Sequence, residues 1–268
     1  MRRAVAAALA LAVTGSTLAQ NNLPDLGEVA QGILSLQNER RIGEMIMREI
    51  RRDPAYLDDP EATAYVASIG KRLVAVSTES RSEFEFFLVK DPTINAFAMP
   101  GGVVGVHTGL LMAAQTESEL AGVLAHEVAH VTQRHIARQL DKQQQLTWPI
   151  IAAMMLGLLA ARSNPQVAQA AIATSQAGAI QATLNYSRDF EREADRIGFT
   201  LLADAGFDVN GMPAFFERLG KATRLYDNSA PAYLRTHPLN TERMADLQNR
   251  AADARYRQLA DSIEFGLV

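Results

Sequence analysis

No cysteine occurs among the 268 residues. That absence excludes disulfide staples, a lipid-modified N-terminal cysteine and any thiolate metal site. A metal held by this chain has only His, Asp and Glu to bind it. Tryptophan occurs once and aromatics make up 6%; with alanine abundant, the balance leans towards helix. A basic block is also missing. Against 26 Lys and Arg stand 30 Asp and Glu, a net charge of -4, so nucleic acid is not expected as a partner. No unbroken apolar run approaches the ~20 residues that cross a bilayer as a helix. The length nonetheless suits one sizeable core.

Arg2 and Arg3 precede ten apolar residues, Ala4–Val13, and Thr17-Leu18-Ala19 supplies small residues before Gln20. This is the layout of a secretory signal peptide over 1–19. The expected location is a bacterial periplasm, where disulfides are permitted but not required. A linker over 20–35, a main domain over 36–260 and a tail over 261–268 follow.

Within that domain, apolar residues at helical spacing predict a helix over Leu36–Arg52, stopped by Asp53-Pro54, and a second from Asp59-Pro60 to Val76. Phe84–Val89, Asn95–Met99 and Val103–His107 read as strands of a small sheet of about three. Thr116-Glu117-Ser118-Glu119 is a capping box that opens a helix expected to reach Leu140. Further helices are expected over Ser187–Ala205, with Gly206 as C-cap, over Asn210–Tyr226 and over Thr241–Leu259. The segment 141–185 holds an apolar run, 149–161, and an Ala-rich stretch, 167–184. It reads either as a buried helical pair or as a helical flap that covers a cleft or makes peripheral contact with lipid. The fold class is α+β, mostly helical, with a small antiparallel or mixed sheet.

The chemistry is concentrated in His126-Glu127-Val128-Ala129-His130. Four residues of helix put both imidazoles on one face, where they can share one metal ion. Glu127 stands about 100° round from His126, beside that face, and can reach a water on the metal without being a ligand itself. A catalytic site needs a third ligand and an open position. The acids of Ser187-Arg188-Asp189-Phe190-Glu191-Arg192-Glu193-Ala194-Asp195 are the best source. Glu191 and Asp195 lie one turn apart, so one can bind the metal while the other fixes a ligand histidine's tautomer. The competing reading is a solvated face whose acids pair with Arg188 and Arg192. His107, at a strand end, and His135, five residues past His130 and turned off the ligand face, are expected to be structural.

Taken together, the His126–His130 motif, Glu191-x-x-Ala194-Asp195, Asn95-Ala-Phe-Ala-Met-Pro-Gly-Gly102 and Tyr186-Ser187-Arg188-Asp189 resemble metallopeptidase family forty-eight. This gluzincin group includes HtpX-like membrane proteases and CAAX prenyl proteases, and the likeness is to its periplasmic β-barrel assembly-enhancing members. The resemblance covers about Leu36–Arg250. It implies a zincin-like domain with one zinc ion per chain, Glu191 as third ligand and Asp195 as the orienter of a ligand histidine. Glu193 is the competing acid, two residues off the matched position. The resemblance also makes Asn95, Ala96, Phe97, Ala98 and Met99 an edge strand that holds substrate in extended form, which suits the unpaired N–H and C=O groups of an open edge. Thr236-His237-Pro238-Leu239, with Arg243 six residues beyond His237, resembles a further family motif. His237 could stabilise the oxyanion or fill the metal's fourth corner and hold the resting enzyme off; its plainer reading is a loop histidine, with Arg243 in a structural salt bridge.

The expected function is a zinc-dependent endopeptidase, with Glu127, His237 and Arg243 as catalytic residues. It would act on misfolded or stalled cell-envelope proteins, outer-membrane proteins among them, alongside the outer-membrane assembly machinery. The family members of this kind carry C-terminal helical repeats that the sequence to Val268 does not show, so docking through such repeats is not expected. The alternative is a chaperone-like periplasmic binding protein with little or tightly regulated proteolysis. A purely structural metal site would have no use for Glu127.

Overall fold

The structure is a computed structural model that describes residues 34–78, 83–144, 187–225, 231–255 and 259–268. The expected leader over 1–19, most of the linker and the 145–185 part of the expected flap lie outside the described residues. The fold is α+β and mostly helical, with a small mixed sheet.

Helix α1 (Leu36–Ile50) starts at Ser35, whose hydroxyl accepts from the Asn38 N–H. Helix α2 (Pro60–Ala75) starts at Asp59, which caps two N–H groups, with Pro60 in the first turn; both starts follow ordinary capping chemistry. The sheet has four strands rather than three: β1 (Tyr56–Leu57), β2 (Glu85–Val89), β3 (Ala96–Met99) and β4 (Val103–His107), in the order β1-β2-β4-β3. The added strand, β1, is a two-residue ladder on β2, too short to leave a period-2 signal. β2 and β4 run parallel, while β3 returns antiparallel to β4 through a turn in which Gly101 and Gly102 both have φ near +80°, a conformation that L side chains resist. That return leaves β3 on the outer edge.

After the short α3 (Thr108–Ala113) comes α4 (Glu117–Thr132), buried almost throughout and packed on α2 and β3. The capping box is present in altered form. The Thr116 hydroxyl accepts from the Glu119 N–H, but the Glu119 carboxylate reaches back to the Gln115 N–H and pairs with Arg218 at 2.6 Å. The expected single helix to Leu140 is two: α4 ends at Thr132, Arg134 takes φ +52°, and α5 follows over residues 135–144.

Helix α6 (residues 187–204) lies against α4, and α7 (Gly211–Leu225) closes the other side. Gly206 has φ +80° at the end of α6, as its capping role requires. Close approach of α6 depends on Gly198, where a Cβ would meet the backbone of Ala125 and His126 at 3.0–3.1 Å. Helices α8 (Ala232–Thr236), α9 (Thr241–Asp253) and α10 (Ile263–Leu267) complete the domain. The last long helix therefore stops six residues earlier than expected, at Asp253. α10 is tied to the start of α4: the Ser262 hydroxyl donates to Glu117, and the Glu117 N–H donates to Asp261. Among the described residues no helix is long and apolar enough to cross a membrane.

Candidate metal centre

Helix α4 points His126 and His130 to one side, their Nε2 atoms 2.9 Å apart. Helix α6 brings the Glu191 carboxylate onto both, Oε2 at 3.4 Å from His126 Nε2 and Oε1 at 3.4 Å from His130 Nε2. His237, just past α8, adds a fourth donor: its Nδ1 lies 3.1 Å from Glu191 Oε1 and 3.3 Å from His126 Nε2. A tetrahedral ion bound at ~2.0–2.2 Å holds its donors roughly 3.3–3.6 Å apart. These separations come within a few tenths of an ångström of that edge, so the four side chains fit such an ion. The electrostatics agree. Burial opposes charge on His126, but the hydrogen bonds and charges of Asp195 and Glu191 outweigh it and push the imidazole up to about 9. Burial raises the Glu191 carboxyl, and bonds from His126, His130 and His237 more than reverse that, holding it far below the usual carboxylate range. The ionised Glu191 and Asp195 therefore bring negative charge to the cluster, while burial and the neighbouring His126 hold His130 below its ordinary value.

Behind His126, Asp195 Oδ1 lies 3.1 Å from Nδ1 along a bent approach. Asp195 is itself gripped by Arg243, Nε to Oδ2 at 2.6 Å and Nη2 to Oδ1 at 2.8 Å, while Arg243 Nη1 donates to the Pro238 carbonyl at 2.7 Å and stands 3.0 Å from Glu191. Arg243 is 2% exposed. Its donors thus face carboxylates behind the cluster, not an open cleft.

Glu127 is fully buried, and neither of its oxygens has a hydrogen-bond partner among the described residues. A buried carboxylate without partners is expensive unless something polar is meant to reach it. Among the described residues the cation-capable group within 4 Å is His237, whose Nε2 stands 3.5 Å from Glu127 Oε1. Tyr233 stacks on the His237 ring, centroids 4.6 Å apart, and its buried hydroxyl is likewise unpartnered.

The second α4 histidine has a different backing. His135, at the start of α5, places its Nδ1 2.8 Å from His130 Nδ1 and its Nε2 3.2 Å from Glu193. Burial and the neighbouring His130 push His135 down to about 2, keeping it a neutral imidazole. By sequence alone His135 reads as structural and Glu193 as the competing acid for the metal. The geometry gives them a shared place behind His130. The clues were a further histidine close after the motif and a further acid on the opposite face of the helix from Glu191 and Asp195.

Of the edge-strand residues, Asn95 accepts from the His107 N–H at 3.0 Å. Antiparallel alternation then turns the N–H and C=O of Ala96 and Ala98 away from β4. Ala96 is fully buried, whereas Phe97, Ala98 and Met99 are partly exposed. Next to Ala98, Met99 and His130 lies a small depression of about 20 Å³, lined also by Leu34, Val131, Arg134 and Ile136. The Arg134 guanidinium is fixed by Glu39 at 2.8 Å and the Leu34 carbonyl at 2.6 Å. His107 stands apart from the centre, bonded to Thr93.

The pattern of peptidase family M48 matches residues 60–251, most of this chain. The chain belongs to peptidase family M48. A Vibrio cholerae relative is 44% identical over 94% of this chain and 52% of its own length. The beta-barrel assembly-enhancing protease of Escherichia coli is 39% identical over 92% of this chain and 51% of its own. The mitochondrial metalloendopeptidase OMA1 of Schizosaccharomyces pombe is 32% identical over 84% of this chain and 64% of its own. The chain spans about half the length of the two bacterial relatives. What it carries is an M48 metallopeptidase domain, with the expected resemblance to the β-barrel assembly-enhancing branch shown.

Proposed function

We propose that this chain is an endopeptidase that uses one zinc ion, held by His126, His130 and Glu191, to hydrolyse misfolded or stalled proteins of the bacterial cell envelope. The observation that carries the reading is the convergence of three donors, His126 and Glu191 buried and His130 partly so, beside Glu127, a buried carboxylate with no hydrogen-bond partner among the described residues. Held there by His126, His130 and Glu191, zinc would supply Lewis acidity to a water and to a scissile carbonyl. Glu127 takes the water proton and returns it to the leaving amine. Ala98, on the open edge of β3, presents its N–H and C=O to the substrate backbone. Asp195 and Arg243 position the cluster from behind.

His237 blocks the site at rest, its two nitrogens spanning the metal donors and Glu127. This supports the second reading, a binding protein whose proteolysis is tightly held. The relatives' naming for β-barrel assembly and the signal-like residues 1–19 support a periplasmic location and outer-membrane substrates, with the assembly machinery as a partner. The peptidase domain would span 36–260.

Casein digestion, with and without a chelator, tests the reading. Chelation should stop cleavage and zinc should restore it, while Glu127→Gln should bind zinc and lose nearly all cleavage. Cleavage that survives chelation, or turnover near the wild-type rate by Glu127→Gln, overturns it. In the same assay His237→Ala should cleave faster than wild type; a large fall would make His237 catalytic instead.

A further inference from the structure

We propose that His135 and Glu193 are positioning residues for the metal centre, forming a neutral imidazole relay that fixes the tautomer of His130. The inference rests on the metal-site reading above and adds a role for two side chains outside it.

The argument is one of proton counting. His130 offers Nε2 to the donor cluster, so that atom must carry a lone pair and the ring proton must sit on Nδ1. His130 Nδ1–H therefore needs an acceptor. The atom in front of it, at 2.8 Å, is not a carboxylate or carbonyl oxygen but His135 Nδ1. A nitrogen accepts only if it is unprotonated, so His135 must carry its own proton on Nε2. That proton faces Glu193 Oε2 at 3.2 Å, an acceptor when ionised. Arg138 Nη1 holds the same carboxylate oxygen at 2.9 Å. Only one arrangement of the two ring protons satisfies every contact: His130 donates to His135, and His135 donates to Glu193.

The surroundings hold that arrangement in place. His135 is 3% exposed and stacks on Phe190, ring centroids 4.3 Å apart and planes 19° apart. The Arg138 guanidinium lies over the same Phe190 ring at 4.7 Å. Phe190 and Glu193 both come from α6, the helix that delivers Glu191, so the relay and the third ligand share one rigid element. The turn at Arg134 makes the contact possible. In an unbroken helix His135 would stand five residues, about 140°, round from His130; the left-handed φ at Arg134 brings it back behind the ring.

The test is zinc affinity by competition with a chromophoric chelator, on the 268-residue chain. His135→Phe keeps a flat ring on Phe190 but offers no acceptor, and should weaken zinc binding roughly 10- to 100-fold. His135→Gln can still accept with its oxygen and donate with its amide, and should recover to within roughly threefold of wild type. In zinc-loaded wild type, long-range proton–nitrogen NMR should find His135 protonated at Nε2. Wild-type affinity in His135→Phe, a His135→Gln variant as weak as His135→Phe, or an Nδ1–H tautomer of His135 would each overturn the relay. His126→Ala separates the two levels. If it abolishes zinc binding while His135→Phe does not, the relay alone fails; if it leaves zinc binding intact, the metal-site reading fails and takes the relay with it.

Discussion

The two histidines of α4 face each other across 2.9 Å and are backed in opposite ways. Behind His126 stands a charged brace, Asp195 locked to Arg243, with both partners 2% exposed in their side chains. Behind His130 stands a neutral ring, His135, whose charged partners Glu193 and Arg138 are about one-third exposed. A buried ion pair is rigid but fragile, because removing one partner leaves the other charge stranded. A partly exposed pair is cheap to break, because water replaces what is lost. The centre thus combines one brace that ought to govern folding with another that ought to govern metal affinity alone.

The largest expected effect leaves both braces untouched. Glu127→Gln should cut turnover by roughly 10²- to 10⁴-fold, as loss of a general base does, with zinc affinity unchanged by chelator competition. Breaking the buried brace comes next. Asp195→Ala takes from buried Arg243 the acceptor of its Nε and Nη2 and should cost about 3–5 kcal/mol of stability in urea denaturation; a loss near zero would mean that the brace is not structural. Gly198→Ala should strain both sides at once, because Glu191, Glu193 and Asp195 all sit on α6. The added methyl meets the α4 backbone at 3.0–3.1 Å, and overpacking of this kind costs about 1–3 kcal/mol. If zinc affinity survives that change, the spacing of the two helices is less critical than the comparison implies. The smallest effect belongs to the exposed brace: Glu193→Gln should lower stability by less than about 1 kcal/mol, and an effect as large as that of Asp195→Ala would erase the contrast.

Legibility followed the range of the interaction. The H-E-x-x-H face, the starts of α1, α2 and α4, strand β4 and the Gly206 cap are all set within a few residues, and periodicity or capping chemistry exposes them. The turn at Arg134 was not legible. Gln133-Arg134 carries neither Gly nor Pro, and the left-handed residue is held by Glu39 and Leu34, nearly a hundred positions away. Strand β1 was missed for a similar reason, since two residues are a strand only because β2 lies alongside. Arg243 read as a catalytic candidate by its place in a motif; its two bonds to Asp195 belong to packing of α9 on α6.

By itself the sequence determined the residue types that can meet a metal. With no cysteine, a histidine pair one helical turn apart and a carboxylate at the next position, local helix geometry leaves little else to decide. Tertiary structure decided which acids arrive, from which side and behind which ring. Those choices depend on how closely α6 can lie on α4 and on where the chain turns after His130, distances set by packing between segments some sixty residues apart and by no local rule.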